Sequence, residues 1–361
     1  MSALQKLPRI AGIVGVGASA AALATQPAIR AYISRTLGLQ APGGTWRALA
    51  LLLALLNLKN LPFVWHIRLF RALVYQLYLQ PTPIPPSALF EPIITSTRTP
   101  IAECDYNLHK SNSTYFSDID ISRTHLVIAL MRTGIKRAAQ AKRQKTHVPE
   151  GPEAVHEGSH LVALGAVSCH FRREIAPYEK FEIWTRLLCW DRKWMYLVSH
   201  LVKSEVVKPA HYTLQPWRRG KKGTENGNGN INGKEMDDEA RREKLKKAVF
   251  ASSIAKYVVK KGRLTISPEQ VLMRADMLPP KPENWGEQAG GSIPKNGTSL
   301  ETVEDAVLPA VNGSEWTWDK IEAERLRGLR FTEMFAGLDG LHEEFDGGKN
   351  GALGEFADLL W

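Results

Sequence analysis

Residues 104–123 read CDYNLHKSNSTYFSDIDISR, and the change of pattern inside this stretch decides the fold. Up to Asn112 the residues are polar and turn-forming, so DYNLHKSN (105–112) is expected to be a loop. From Ser113 the pattern becomes helical: Phe116, Ile119, Leu126 and Leu130 keep one face apolar, with the helix running to about Arg132. Asn112 or Ser113 is a suitable N-cap. The preceding TSTRTPIAEC (95–104) is rich in β-branched residues and reads as a strand. A carboxylate (Asp105), an imidazole (His109) and an amide (Asn112) therefore share a loop that opens onto a helix N-terminus. Unpaired N–H groups and the helix dipole at such a terminus polarise a carbonyl and stabilise an oxyanion. A carboxylate beside it is placed to act as nucleophile or general base.

Downstream, residues 160–174, 181–191, 194–204 and 249–260 read as strands, and the first three are joined by connections short enough for antiparallel neighbours. One long helix followed by antiparallel strands predicts an α+β fold in which the helix buries its stripe against the sheet.

Asp105, His109, Asn112, Tyr115 and Arg123 stand at the spacing of the D-x-x-x-H-x-x-N-x-x-Y pattern and its later Arg. In this the chain resembles the 4-hydroxybenzoyl-CoA thioesterase branch of the hot-dog superfamily. It is similar in particular to the member-six thioesterases and to fungal thioesterase-like proteins of secondary-metabolite clusters. The resemblance covers roughly residues 89–275 and implies a single hot-dog fold, a long central helix wrapped by an antiparallel sheet. It also implies hydrolysis of an acyl thioester, on coenzyme A or on an acyl-carrier protein, in secondary or lipid metabolism. By the same resemblance Asp105 is the catalytic carboxylate. His109 orients the loop or touches substrate, and the substrate and oxyanion contacts come from Asn112, Ser113, Thr114 and Tyr115. Asp120 and Arg123 are structural, and a second subunit completes the site, so a homodimer is implied. No cofactor or metal is. The family's usual Gly before His is Leu108 here, which puts the closure of the loop in question. Two other classes stay open. A hot-dog hydratase uses D-x-N-P-x-H, of which Asp105-Tyr-Asn107-Leu-His109 lacks the Pro and one residue of spacing. A non-catalytic acyl-binding protein would keep the same residues without turnover.

Of 47 Lys and Arg, eight fall in residues 1–90, which contain no Asp or Glu, leaving 39 against 37 acidic residues for the rest. The net charge of +10 thus sits on the most apolar part of the chain. With no recognised motif beside it, nucleic acid is not an expected partner. Residues 10–29 form a marginal membrane span, or the core of a cleaved leader. Ala48–Leu58 would extend only about 16 Å as a helix and continues into an Arg- and aromatic-bearing amphipathic stretch suited to a membrane interface. PTPIPP (81–86) ends any helix there. The expected organisation is a membrane-association region (1–86) and a hot-dog domain (87–278) with an insertion near 218–243. A disordered linker (279–314) and a helical tail (315–361) follow. The expected location is a membrane, of the endoplasmic reticulum or alternatively the mitochondrion.

Cys104, Cys169 and Cys189 have neither zinc nor disulfide spacing and are expected to be reduced, buried thiols. His125, His170 and His200 are expected to be structural. The cluster Arg132, Lys136, Arg137, Lys142, Arg143 and Lys145 reads as a solvated helix end.

Overall fold

A computed structural model of the chain describes residues 26–38, 40–144, 160–218, 243–279 and 316–338. The expected insertion at 220–234, nearly all of the linker and the chain before residue 26 lie outside the described residues. The helices are α1 (Pro27–Thr36), α2 (Gly44–Leu56), α3 (Val64–Val74), α4 (Thr114–Gln144), α5 (Pro268–Arg274) and α6 (Trp318–Ala336). The strands are β1 (Ile93–Arg98), β2 (His160–Phe171), β3 (Lys180–Trp190), β4 (Trp194–Lys203), β5 (Val249–Lys261) and β6 (Leu264–Ile266). The chain divides into two compact units, residues 1–65 with 100–103, and residues 66–99 with 104–361.

In the larger unit the strands form one antiparallel sheet in the order β1-β3-β4-β5-β2, with β6 folded back on β5. Strand β1 stops earlier than the composition of 95–104 predicts, because Pro100 has no N–H to give the ladder and Ile101–Glu103 form a tight turn. Helix α4 packs against β1, β3 and β4. At 31 residues it runs well past Arg132, since KRAAQAKRQ (136–144) is built of strong helix formers. Its buried face carries Tyr115, Ile119, Leu126 and Leu130, with Tyr115 in the place expected for Phe116, which is half-buried. Beneath the helix a chain of buried hydroxyls runs from Ser122 to Thr185 (2.8 Å) and on to Ser199 (2.9 Å), so the polar groups of this interface satisfy each other.

Strand β3 is buried on both faces. Phe181, Ile183, Thr185 and Leu187 face the helix α4 core, while Leu188 and Cys189 pack with Tyr196 and Phe335 on the other side. That second face is covered by α6, which packs on β3. Gly328 makes the approach possible: a Cβ there would lie 2.5 Å from the Leu188 carbonyl oxygen and 2.7 Å from Cys189 Cβ. Gly165, at the bulge in β2, likewise leaves room for a neighbour, since a Cβ at this position would meet the Trp194 ring at 2.4 Å.

Arg132 does not belong to a solvated basic end. It is buried and its guanidinium donates to the carbonyls of Gln80 (3.0 Å) and Thr82 (2.6 Å), fixing the start of the PTPIPP segment to α4. Arg137 makes a bidentate pair with Asp276 (2.7 and 2.6 Å).

In the smaller unit, Lys59 pairs with the buried Glu103 at 2.8 Å and the Asn57 side-chain oxygen accepts the N–H of Ala102 at 2.8 Å. Helix α2 leaves Leu49, Leu51, Leu52, Leu53, Leu55 and Leu56 exposed. No helix among the described residues is long and apolar enough to cross a membrane.

Candidate active site

The loop between β1 and α4 is closed on itself by the backbone. Asp105 N–H donates to the His109 carbonyl (2.9 Å), Leu108 N–H to the Asp105 carbonyl (3.0 Å), and Cys104 bridges Lys110 in antiparallel fashion. The Asp105 carboxylate accepts the Asn107 N–H at 2.9 Å and lies 3.5 Å from that of His109. This is the local turn that a short acidic side chain makes with its own backbone. One oxygen is thereby held while the carboxylate stays half-exposed.

Leu108 resolves the question raised by the missing glycine. It adopts φ 59°, the left-handed conformation that Gly takes without cost, and the loop closes regardless. A branched side chain there stores strain of about 1–2 kcal/mol, and the side chain itself is exposed. Leu108→Gly is therefore expected to stabilise the protein by about 0.5–1 kcal/mol, the relief of strain exceeding the extra freedom Gly gives the unfolded chain. Chemical denaturation of the two proteins checks this, and a less stable Gly variant would show that the exposed leucine makes a contact worth more than the strain.

Lys110 fastens the loop to the body. Its ammonium is fully buried, 3.0 Å from Asp118, and it lies over the rings of Tyr115 (5.5 Å) and Phe181 (5.6 Å). Asp118 receives a second cation, Arg68, at 2.8 Å. The Lys110 N–H donates to the Ile175 carbonyl, tying the loop to the segment after β2. His109 Nε2 stands 3.0 Å from Glu174 in that same segment. Sequence reasoning missed Lys110, Asp118 and Glu174. A lysine in a polar loop and an aspartate between helix positions carry no apolar periodicity, and only the fold brings Glu174 to His109.

The remaining predicted residues separate by depth. Tyr115 is buried at 2% exposure, edge-on to Phe171 of β2 with ring centroids 5.0 Å apart. Burial, with the charges of Glu174 and Asp105 adding, pushes its hydroxyl far above the usual phenol range, so it keeps its proton. Asn112 and Ser113 are exposed at the helix start. Thr114 donates both its N–H (2.9 Å) and its hydroxyl (2.7 Å) to the Ser111 carbonyl. The N–H groups of Tyr115 and Phe116 belong to the first turn, where no carbonyl four residues back lies inside the helix. Asp120 pairs with Arg123 at 2.5 Å. Arg123 lies over the Tyr257 ring, and its Nε and Nη1 have no hydrogen-bond partner among the described residues.

None of the three cysteines is in a disulfide; Cys189 is buried as expected, whereas Cys104 and Cys169 are only half-buried. Burial pushes the thiols of Cys169 and Cys189 up to about 11 and about 12, which keeps them protonated and poor nucleophiles. His200 bonds Ser252 at 2.9 Å and His125 bonds Gln76 at 3.1 Å, and burial lowers the pKa of both rings.

The sheet wrapped on one long helix, with an acidic loop at the helix start, agrees with comparisons to known proteins. Residues 99–215 match the profile of the thioesterase-like superfamily. The “Probable thioesterase atnL” of Emericella nidulans is 34% identical over 314 residues, covering 84% of this chain and 90% of the relative. The “Thioesterase poxG” of Penicillium oxalicum is 33% identical over 322 residues (86% and 92%), and the “Thioesterase lcsJ” of Purpureocillium lilacinum 32% over 326 (82% and 91%). Identity at this level over nine-tenths of the relatives' length, on a fold with a central helix and an antiparallel sheet, makes this chain a member of the thioesterase-like hot-dog superfamily.

Proposed function

We propose that the protein hydrolyses an acyl thioester at the loop carrying Asp105, with acyl-CoA or acyl-carrier protein as substrate. The observation that carries this reading is a half-exposed carboxylate, fixed through one oxygen by its own turn, in the loop that leads into the N-terminus of a 31-residue helix. The thioester carbonyl is polarised by first-turn N–H groups and the helix dipole. Asp105 either takes a proton from water as hydroxide adds to the carbonyl, or adds to it directly. In both cases the C–S bond breaks and the thiolate leaves and takes up a proton; the first route gives the acid at once, whereas direct attack leaves a mixed anhydride between the acyl group and Asp105, which water then cleaves at the Asp105 carbonyl to free acid and carboxylate. Single turnover in isotopically labelled water separates the two, because only direct attack puts the label into Asp105. His109, held against Glu174, orients the loop. The test is release of free thiol from a panel of acyl-CoA and acyl-carrier thioesters by the full chain. No release from any of them removes the hydrolytic reading and leaves acyl binding without turnover.

We further propose that two copies pair through β2. Among the described residues this strand hydrogen-bonds only β5 and leaves Leu161, Leu164 and Phe171 exposed along an edge with no neighbouring strand, an arrangement that invites a second strand. Light scattering of the detergent-solubilised protein is expected to give twice the chain mass, and a monomer with full turnover would refute the pairing.

Membrane association rests on the exposed leucines of α2 and on the acid-free, basic composition of residues 1–90. The membrane proposed is that of the endoplasmic reticulum, with the mitochondrion as the alternative. The full chain is expected to float with anionic vesicles, and Leu52→Glu/Leu55→Glu to reduce that binding at least tenfold. Equal flotation of both would place the contact elsewhere.

A further inference from the structure

Tyr106 and Leu108, on either side of Asn107 in the Asp105 turn, are 94% and 65% exposed. At Leu108 an apolar side chain is bared to water by a residue in the left-handed conformation, which asparagine takes more readily, so the turn itself does not call for leucine. Strain kept beside a candidate catalytic group points to a use for the side chain that keeps it.

The surface beside the turn is cationic. His109 and Lys110 tie the loop to Glu174 and Ile175, and the two residues before Glu174 are the exposed Arg172 and Arg173. Both arginine N–H groups donate to the Phe250 carbonyl (2.8 and 3.0 Å), and the Arg173 guanidinium donates to the Lys247 carbonyl. These bonds bring the exposed Lys244, Lys246 and Lys247 to the same end of the sheet. Glu243 is held by Lys247 at 2.7 Å. Among the described residues, Arg172, Arg173, Lys244 and Lys246 then outnumber the carboxylates left on this surface, Asp105 and Glu174. Bared aromatic and aliphatic side chains beside excess cations suit the headgroup layer of an anionic bilayer, with Tyr at headgroup depth and Arg or Lys towards phosphate. Chain continuity points the same way: the polypeptide enters the loop directly from residues 100–103, part of the smaller unit whose helix α2 bares its leucines.

We propose that the Asp105 loop is itself a membrane-contact surface, with Tyr106 and Leu108 in the headgroup layer of an anionic bilayer and Arg172 and Arg173 against lipid phosphate. Together with the thioesterase reading, on which this second step rests, the contact makes the substrate class an acyl thioester dissolved in that bilayer. Its carbonyl reaches Asp105 at the membrane surface.

The test uses the full chain in phosphatidylcholine vesicles with and without phosphatidylserine, carrying the photocrosslinker p-benzoylphenylalanine in place of Tyr106. Irradiation is expected to give a lipid adduct, about tenfold more with phosphatidylserine than without. The same probe in place of Arg263, exposed in the turn between β5 and β6 at the opposite end of the sheet, is expected to give none. Leu108→Asn and Arg172→Gln/Arg173→Gln are each expected to cut the adduct at position 106 about tenfold. Turnover of palmitoyl-CoA in the vesicles is expected to fall with it, and that of water-soluble butyryl-CoA to stay unchanged. An adduct to a second copy of the chain, no lipid adduct at position 106, or equal labelling from position 263 would each overturn the contact. So would slower butyryl-CoA hydrolysis in the arginine variant, the mark of cations serving the phosphates of coenzyme A instead. Palmitoyl-CoA turnover that held while the adduct fell would overturn the substrate class. A lipid adduct with no thioester hydrolysed at all would sink the thioesterase reading and uphold the contact, so the two failures are told apart.

Discussion

Asp105→Asn is expected to lower thioester turnover by about a hundredfold or more while leaving stability nearly unchanged. Asparagine keeps an oxygen at the place where the Asp105 carboxylate accepts the Asn107 N–H, so the turn persists. What is lost is the negative charge, without which the side chain is neither a nucleophile nor a base. Kinetics on one thioester, paired with thermal melts, check the expectation. An Asn variant that melts earlier but keeps its activity per folded molecule would make Asp105 a turn residue only. His109→Ala is expected to cost less, because the imidazole positions the loop through Glu174.

The second large effect lies deeper. Asp118→Ala is expected to destabilise the fold by about 3–5 kcal/mol, the range for removing one partner of a buried ion pair. Both Lys110 and Asp118 side chains are fully buried, so the ammonium would lose the carboxylate 3.0 Å from it while held between the Tyr115 and Phe181 rings. Arg68 keeps a quarter of its side chain in solvent and can rehydrate. Against a total stability of about 5–15 kcal/mol, such a loss is severe. Urea unfolding at unchanged slope measures it. The double variant Asp118→Ala/Lys110→Met is expected to recover most of the loss, since the uncompensated charge is gone. If the double variant were no more stable than the single one, the cost would come from the cavity instead.

Much of the fold could be read because its signals are local. Strand composition placed β2 to β5 within a few residues, and the spacing of Phe116, Ile119, Leu126 and Leu130 marked the helix, although Tyr115 and not Phe116 takes the buried place at its start. Errors occurred where one residue overrode composition. Pro100 ended β1 early, and Arg132, read as a solvated cation, turned inward to two carbonyls. Leu108 took a left-handed conformation that a leucine does not advertise.

The amino-acid sequence by itself determined the order of elements, the acidic loop ahead of the long helix and the concentration of positive charge in the apolar first ninety residues. These follow from periodicity, turn chemistry and composition, which act over a few residues. The tertiary structure alone decided that Lys110 meets Asp118 and Arg68, that Glu174 meets His109, and that α6 covers the second face of β3 through Gly328. Such pairings join residues dozens of positions apart, and nothing in a local pattern says which buried charge or carbonyl will face which. Desolvation makes them consequential, because a polar group is costly or useful only once packing has removed it from water.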